Sequence, residues 1–390
     1  MSATPAVRRR VGRKDLTRLL WPAAALTPCL PLLTLAHRIP LVGPAGWWLP
    51  FLGTLTAFPV ADRLAGSDPS NAPEPTARSH RADAPYRWCT YLFVLLQYLS
   101  LVWSCSQWAS PAVSPVDGAG LALAVGWVGA LGLNAGHELG HTTTQAERWL
   151  SKAAFAQVAY GHFHVAHNRG HHLRVATPHD PSSARLGEGF WRFLPRVVSG
   201  RPAEAWRAEA RRLARRGRSP WSPRNDVLNA WAMTVLLAAA LGLAFGPRVL
   251  PYLALQAAFG ICILEAGAYL EHYGLLRQRR ADGRYERPGY GHSWNSDAIV
   301  SSALLFRAQR HSDHHVNPLR PYPQLRHVDA PQLPAGFVTM IVLAWIPPLW
   351  RRVMDPKVIA HYGGDVTLAN IHPPARDRIL ARSVTAASPP

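Results

Sequence analysis

The chain has 390 residues, of which 48% are hydrophobic, and its 42 Lys+Arg against 23 Asp+Glu give a formal net charge of +19. Its mean hydropathy of −0.04 is that of an average soluble chain, but the apolar residues cluster in runs of about 20, long enough to cross a bilayer as helices. The four cysteines, Cys29, Cys89, Cys105 and Cys262, form no C-x-x-C pair, which argues against a disulfide framework and a cysteine-based metal site.

Six apolar runs predict an all-α integral membrane protein with six transmembrane helices. Tight turns such as His37–Arg38 and Gly246–Arg248 join the runs in pairs, so three hairpins are expected. Prolines in the first two runs are compatible with membrane helices. The basic N-terminus lacks a small-residue cleavage site, so no removable signal peptide is predicted. The predicted spans are 19–36, 39–61, 89–109, 118–134, 227–245 and 249–270.

Three hairpins place both termini and every long loop on one side of the membrane. Those segments carry almost every Lys and Arg, whereas the tight turns carry only Arg38 and Arg248. By the positive-inside rule the long side is cytoplasmic, in a multi-pass protein of the inner (cytoplasmic) membrane. A basic collar beside the bilayer therefore explains the charge of +19 better than a nucleic-acid site does.

The predicted organisation is one membrane-embedded domain over 1–390 with a cytoplasmic, histidine-rich cap. The cap is built from three long loops, and the C-terminal residues are expected to form a flexible tail. A late apolar run, 335–350, contains Pro347–Pro348 and is interpreted as an interfacial or re-entrant helix, because a seventh span would place the C-terminus outside. The cap loops are 62–88, 142–226 and 271–372, and the tail is 373–390.

Nine of the 18 histidines fall into four clusters, of which the first and third directly follow a predicted span and the other two lie in cytoplasmic loops. Residues three or four apart share a helix face, so the pairs within each cluster are expected to point the same way. The nine histidines are His137 and His141; His167, His171 and His172; His272; and His311, His314 and His315. The nearby His162, His164, His179 and His292 remain ambiguous.

The topology brings these clusters together, since His137 and His272 each lie where a span leaves the bilayer on the same side. Imidazole binds Fe, Zn, Cu and Ni, and nine nitrogen donors are too many for one ion. Two ions with four or five ligands each fit the number of histidines. Two redox-active irons beside a bilayer suggest oxygen chemistry on a lipid-soluble substrate.

One cluster has a second interpretation. His137-Glu138-Leu139-Gly140-His141 is literally the H-E-x-x-H motif of zinc proteases, in which Glu138 would activate water. That interpretation leaves the other three clusters without a role, so a metal centre that uses all four is preferred.

The boxes HELGH, HNRGHH, LEHYGL and QRHSDHH resemble those of the membrane-bound alkane 1-monooxygenases, which are integral-membrane non-haem di-iron enzymes related to the fatty-acid desaturases. Segments such as GSDPSNAPEP and GRYERPGYGHSWNSD extend the resemblance over about 17–372. The resemblance implies two Fe ions held by the nine histidines, and O2-dependent hydroxylation of the terminal methyl group of a linear alkane. It also implies electrons from rubredoxin and an NAD(P)H-dependent rubredoxin reductase. Since no cysteine follows Asp365, that rubredoxin is expected to be a separate protein.

The sequence departs from the family pattern at four positions near the boxes: Ala166, Thr142, Ala268 and His179. Groups around metal-bound imidazoles orient them, so these departures are expected to alter substrate preference or activity. Alternative functions are a fatty-acid or aromatic-methyl hydroxylase, a desaturase, or a catalytically impaired metal-binding homologue. Acidic residues close to the boxes are catalytic candidates, namely Glu138, Glu265, Glu271 and Asp313.

The substrate, a hydrophobic small molecule, is expected to enter from the lipid bilayer into a channel between the spans that ends at the metal site. Bulky side chains in the first three spans are candidates for its walls: Trp47, Trp48, Phe51, Phe58 and Trp103. Such aromatics are also common at the lipid boundary of membrane proteins.

Overall fold

The computed structural model describes residues 16–71, 84–142 and 144–387. Within these ranges every regular element is helical, with only isolated bridges between extended residues, and the predicted all-α class is confirmed. The basic run at the N-terminus and most of the proline-rich loop 67–85 lie outside the described residues.

Thirteen numbered helices, a helical segment at 163–174 and several 3₁₀ helices make up the regular structure of the described residues. In order they are α1 (Leu16–Ala25), α2 (Leu49–Ala65), α3 (Ala84–Ala109), α4 (Pro115–Gly140), α5 (Gln145–Ala156), α6 (Phe190–Ala214), α7 (Asp226–Phe245), α8 (Val249–His272), α9 (Ile299–Leu304), α10 (His311–Val316), α11 (Phe337–Ala344), α12 (Pro347–His361) and α13 (Arg376–Ala387). Between α5 and α6 the helical segment 163–174 comprises Phe163–Ala166, a π turn His167–His171 and His172–Arg174.

Four helices of the described chain are long and apolar enough to cross a membrane, and they match the third to sixth predicted spans. These are α3 from Pro85 onward, α4, α7 and α8. The helix α4 continues to Gly140, six residues past the predicted end of its span, and α8 continues to His272. Both extensions carry histidines of the predicted site, so the helices themselves position those side chains.

The first two predicted spans are not single long α-helices. After α1, the residues Thr27–Arg38 form a tighter 3₁₀ helix that contains Pro28 and Pro31. The second run begins with a short 3₁₀ turn, Gly43–Trp47, before the 17-residue α2. Proline removes a backbone donor and clashes with the preceding turn, which explains why these apolar runs divide into shorter pieces.

The late apolar run also breaks at its prolines. The helix α11 has eight residues and α12 begins at Pro347, so neither piece alone has the length of about 20 residues that a span requires. Helix α11 packs against α2 and α8. The interfacial or re-entrant placement of this run stays a prediction.

Part of the expected flexible tail is helical. Residues Pro373–Ala375 form a 3₁₀ turn and α13 follows, with Ile379 and Leu380 packed against the main core. These two apolar side chains are the physical reason that this part of the tail folds back onto the protein. Residues 388–390 lie outside the described part.

The centre of the molecule is α4, which packs against α3, α5 and α8 and is largely buried. Its contact with α8 is backbone to backbone: a Cβ atom added at Gly126 would lie 2.6 Å from the carbonyl oxygen of Gln256. Across the same contact, a Cβ added at Gly260 would lie 3.0 Å from the carbonyl oxygen of Gly126. Small residues allow membrane helices to approach this closely. This contact places the ends of α4 and α8 side by side.

Replacing Gly126 with alanine is expected to separate α4 from α8 and to lower the melting temperature of the detergent-solubilised protein by several degrees. The matched control is Gly53→Ala in α2, where an added Cβ meets nothing within 4 Å and alanine is the better helix former. Differential scanning fluorimetry compares the two variants. Equal melting temperatures for both would contradict the role assigned to the close contact.

Candidate metal centre

All nine predicted histidines meet at one end of the helical bundle. His137 lies in the last turn of α4 and His141 directly follows that helix, while His272 is the last residue of α8. The remaining six come from the segment 163–174 and from α10, which fold back onto these helix ends. The structure sorts them into two groups of converging nitrogen atoms, with five histidines in one and four in the other.

The first group is centred on His137. Its Nε2 atom lies 2.8 Å from Nε2 of His167, 3.0 Å from that of His314 and 3.2 Å from that of His141. The Nε2 atom of His172 closes the group, at 2.9 Å from His167 and 3.2 Å from His314. All five rings therefore direct the same nitrogen atom at one point.

The second group has four members. The Nε2 atom of His315 lies 2.9 Å from that of His311 and 3.2 Å from that of His171. His272 completes the group, with its Nε2 atom 3.2 Å from that of His311. All four side chains are buried.

These spacings fit imidazoles that share a metal ion. Two nitrogens held about 2.1 Å from one ion, at right angles, lie about 3 Å apart. Nitrogen-only donor sets suit iron and other first-row transition metals, and neutral imidazole is the form that binds them. Two groups, one of five and one of four histidines, agree with the expectation of two ions with four or five ligands each.

The sequence predicts that His167 and His171 share a helix face, and this prediction is wrong. Residues 167–171 form a π turn, which is wider than an α-helical turn. His167 and His172, five residues apart, therefore point into the first group, whereas His171 points into the second. The π turn allows one short segment to supply both groups.

Helix α10 also divides its histidines. His311 and His315, one α-helical turn apart, lie in the second group, while His314 points into the first. The expected pairing of His311 with His315 is confirmed, because residues four apart lie on the helix face that points into the second group. The expected pairing of His311 with His314 is wrong, since His314 points into the first group. Thus α10 lies between the two groups and links them.

Burial keeps the imidazoles neutral. Loss of solvation lowers the pKa values of His167, His172, His311, His314 and His315 well below the usual range, and the neighbouring imidazoles add to this effect. A charged imidazolium cannot donate a lone pair to a metal, so this environment favours the metal-binding form at neutral pH.

A residue outside the predicted set, Asp180, orients the second group. The Nδ1 atom of His171 lies 2.9 Å from Oδ2 of Asp180, which also accepts a hydrogen bond from Ser183 at 2.7 Å. Although burial opposes it, the nearby His171 side chain lowers the pKa of Asp180 below its usual range. A carboxylate on the far nitrogen holds the ring so that Nε2 faces the metal. The signal available in the sequence was an acidic residue nine positions after His171.

Of the ambiguous histidines, His292 also supports the second group, through its backbone. Its carbonyl oxygen lies 3.1 Å from Nδ1 of His272, while its own ring pairs with Glu286 at 3.2 Å. The other three lie outside both groups. Burial lowers the pKa values of His162 and His164 to about 4, and His179 is exposed.

Two of the predicted catalytic acids lie near the second group. Oε2 of Glu271 is 3.3 Å from Nε2 of His311, and Glu271 lines the cavity described below. Glu265 lies seven residues before His272 in α8 and is fully buried. Its Oε1 atom lies 2.9 Å from Nε of Arg201.

The other two acids hold loops in place. Oε1 of Glu138 accepts a hydrogen bond from the backbone N–H of Tyr322 at 3.1 Å, and Glu138 lines a polar cavity beside His141. Asp313 accepts hydrogen bonds from Arg320 at 2.7 Å and Asn317 at 2.9 Å, which tie α10 to the loop that follows it.

An apolar cavity between α2, α4, α8 and α11 ends at the histidines. Of the aromatic residues predicted for its walls, Phe58 lines it, whereas Trp47 and Trp103 pack in a separate core cluster. Its polar lining consists of Asn134, His137, His167, His171, Arg201, Glu271, Ser301 and His311. A hydrophobic chain in this cavity would contact side chains of both histidine groups.

The chain matches known proteins along most of its length. The fatty acid desaturase family model covers residues 116–344. The alkane 1-monooxygenase of Ectopseudomonas oleovorans is 41% identical over 380 residues, which cover 96% of this chain and 94% of that protein. Alkane 1-monooxygenase 1 of Alcanivorax borkumensis is 40% identical over 371 residues, covering 94% and 91% of the two chains. A more distant match is the xylene/toluene monooxygenase hydroxylase component of Pseudomonas putida, 29% identical over 63% of this chain and 65% of that protein.

Replacing Asp180 with asparagine is expected to weaken metal binding by the second group 10- to 100-fold, as is typical when such a supporting carboxylate is lost. Elemental analysis of protein purified in limiting metal would then fall from about two ions per chain towards one. The control is His179→Ala, the exposed neighbour, which should retain the wild-type metal content. Unchanged metal content and affinity in Asp180→Asn would contradict the role assigned to Asp180.

Proposed function

Because this chain belongs to the alkane 1-monooxygenase family, we propose that it uses O2 to hydroxylate the terminal methyl group of linear alkanes to primary alcohols. The observation that carries the proposal is the apolar cavity that ends at two groups of converging histidines. Identities of about 40% to alkane 1-monooxygenases over more than nine-tenths of the chain support it.

We propose that each histidine group binds one non-haem iron ion. The first is held by His137, His141, His167, His172 and His314, and the second by His171, His272, His311 and His315. The chemistry that two irons supply is the reductive activation of O2. The chain orients His171 through Asp180 and His272 through the carbonyl group of His292, and it buries the four histidines of the second group away from bulk water.

The cavity determines how the substrate is presented. Each buried CH2 group contributes about 0.8 kcal/mol, so a long alkane binds without any polar anchor. The terminal C–H bond is stronger than its neighbours, so selection of the chain end has to come from position rather than reactivity. Phe58, Trp127 and Phe337 line the cavity between the helices, and the histidines form its inner end.

Among the four candidate acids, Glu271 has the position expected of a catalytic group, since it lines the cavity and contacts His311. We infer that Glu265 acts by holding Arg201, Asp313 by fixing α10, and Glu138 by fixing the loop at Tyr322. These three would be positioning residues.

The proposed arrangement has six spans in the inner membrane, with both termini and the metal centre on the cytoplasmic side. The charge distribution of the sequence supports this orientation. Electrons would come from a separate rubredoxin, reduced by an NAD(P)H-dependent reductase. An arginine-rich stretch of α6 and the residues after it offers that small acidic protein a docking surface, with exposed Arg207, Arg211, Arg215, Arg216 and Arg218.

A second candidate function is hydroxylation of a methyl group on an aromatic ring, which the similarity to the xylene/toluene monooxygenase component favours. A desaturase is a further alternative within the matched family model. Alkane hydroxylation, aromatic-methyl hydroxylation and desaturation give different products, so one product assay distinguishes the three functions.

Reconstitution with rubredoxin, its reductase, NADH and alkanes of graded length is expected to yield primary alcohols, identified by gas chromatography. Parallel reactions with toluene and a fatty acid test for an aromatic alcohol, an omega-hydroxy acid or a double bond. The control is His314→Ala, which removes a nitrogen from the first group and should abolish the product. Iron near two per chain with no oxygen consumption on any substrate would identify an impaired homologue and contradict the proposal.

The value of kcat/KM for rubredoxin is expected to fall as ionic strength rises, because salt screens the attraction between an acidic donor and the exposed arginines. Charge reversal in the variant Arg211→Glu/Arg215→Glu should lower kcat/KM at low salt and flatten the salt dependence. The KM for alkane should be the same in the variant and in the unmodified protein. A salt-independent kcat/KM for rubredoxin in the unmodified protein would contradict docking at this surface.

A further inference from the structure

A buried arginine lies on the wall of the apolar cavity. Arg201, in the middle of α6, is only 2% exposed, and it lines the cavity together with Glu271 and His171. Most of the other residues that line the cavity are apolar. A guanidinium in such a place is costly unless its N–H groups have partners.

The protein neutralises the charge of Arg201 but leaves part of the side chain without a partner. Its Nε atom lies 2.9 Å from Oε1 of Glu265, and Tyr160 donates a hydrogen bond to the same oxygen at 2.7 Å. The guanidinium carbon lies 4.7 Å from the ring centroid of Phe163. The Nη1 atom is buried and has no hydrogen-bond partner among the described residues. A buried donor on a cavity wall is suited to an acceptor oxygen of a ligand.

The charges around Arg201 indicate which kind of oxygen fits. Glu265 already balances the guanidinium, and Glu271 places a second carboxylate on the same wall. Next to the guanidinium, an anionic ligand would meet two carboxylates, Glu265 and Glu271, that already outnumber the one arginine, and their repulsion is unfavourable. A neutral acceptor, such as a hydroxyl group, avoids that cost.

We propose that Arg201 binds the hydroxyl group of a primary alcohol whose hydrocarbon chain occupies the cavity. This rests on the proposed function, because that reaction generates a primary alcohol at the histidine end of the same cavity. The contact distinguishes product from substrate, since an alkane has no acceptor. A long-chain 1-alkanol would therefore bind more tightly than the alkane of equal length and compete with it.

The first experiment measures binding without turnover. Full-length protein in lipid nanodiscs, without reductase or NADH, is titrated with 1-decanol, decane and decanoate in competition with a radiolabelled alkane. The unmodified protein is expected to bind 1-decanol at least tenfold more tightly than decane. Equal affinities for 1-decanol and decane would overturn the proposal, and so would tighter binding of decanoate than of 1-decanol.

The variant for this test removes both members of the buried pair, since Arg201→Met alone would leave Glu265 as an unpaired buried charge. The double variant Arg201→Met/Glu265→Gln is expected to lose about tenfold in affinity for 1-decanol while keeping its affinity for decane. The matched control is Arg196→Met/Glu188→Gln, which removes the ion pair between Arg196 of α6 and Glu188, two residues before that helix; neither residue lines the cavity. It should bind both ligands as the unmodified protein does. Equal losses in the two double variants would overturn the proposal.

Kinetics separates this proposal from the proposed function. In the reconstituted reaction, 1-decanol should inhibit competitively against decane, and the inhibition should weaken about tenfold in Arg201→Met/Glu265→Gln. If no alkane is oxidised, the proposed function fails, while the binding measurements still decide the role of Arg201. If alkane is oxidised but the inhibition by 1-decanol is the same in both proteins, the role of Arg201 fails and the proposed function stands.

Discussion

The convergence of nine imidazoles on two points is the constraint on which the rest of the structure depends. No single element can supply them, so four segments far apart in the chain have to end at the same level. The glycine contact between α4 and α8 meets this requirement, because it holds the ends that carry His137 and His272 side by side. The segment 163–174 and α10 then cover those ends and add the other histidines.

The short helical segment 163–174, which lies over the histidine groups, is held by partly buried ion pairs to α6 and α7. Arg169, inside the second histidine box, pairs with Glu209 and with Asp226, while Lys152 contacts Asp226 at 2.7 Å. Arg174, at the end of the segment, pairs with Glu204. These ion pairs flank the π turn that divides His171 from His172.

The four departures from the family pattern have different structural consequences. Ala166 packs in an apolar cluster with Ala205 and Ala208, so the acidic residues near the second box come from α6 instead. Ala268 lines the cavity and makes that part of its wall apolar. His179 is exposed, and the residue that contacts His171 is the neighbouring Asp180. Thr142 donates a hydrogen bond to the carbonyl oxygen of Leu139 at 3.0 Å and so completes the end of α4.

The sequence by itself determined the helical class, the four long apolar helices and the nine histidines that form the site. Such features are local, because hydrophobic length and three- or four-residue spacing are properties of neighbouring residues. The structure decided which group each histidine joins, since the π turn at 167–171 separates residues that an α-helix would have kept together. It also divided the first two apolar runs at their prolines, turned Asp180 towards His171 and brought Arg201 to the cavity. The position of Arg201 and the meeting of the four histidine-bearing segments depend on contacts between distant segments, which no local pattern contains.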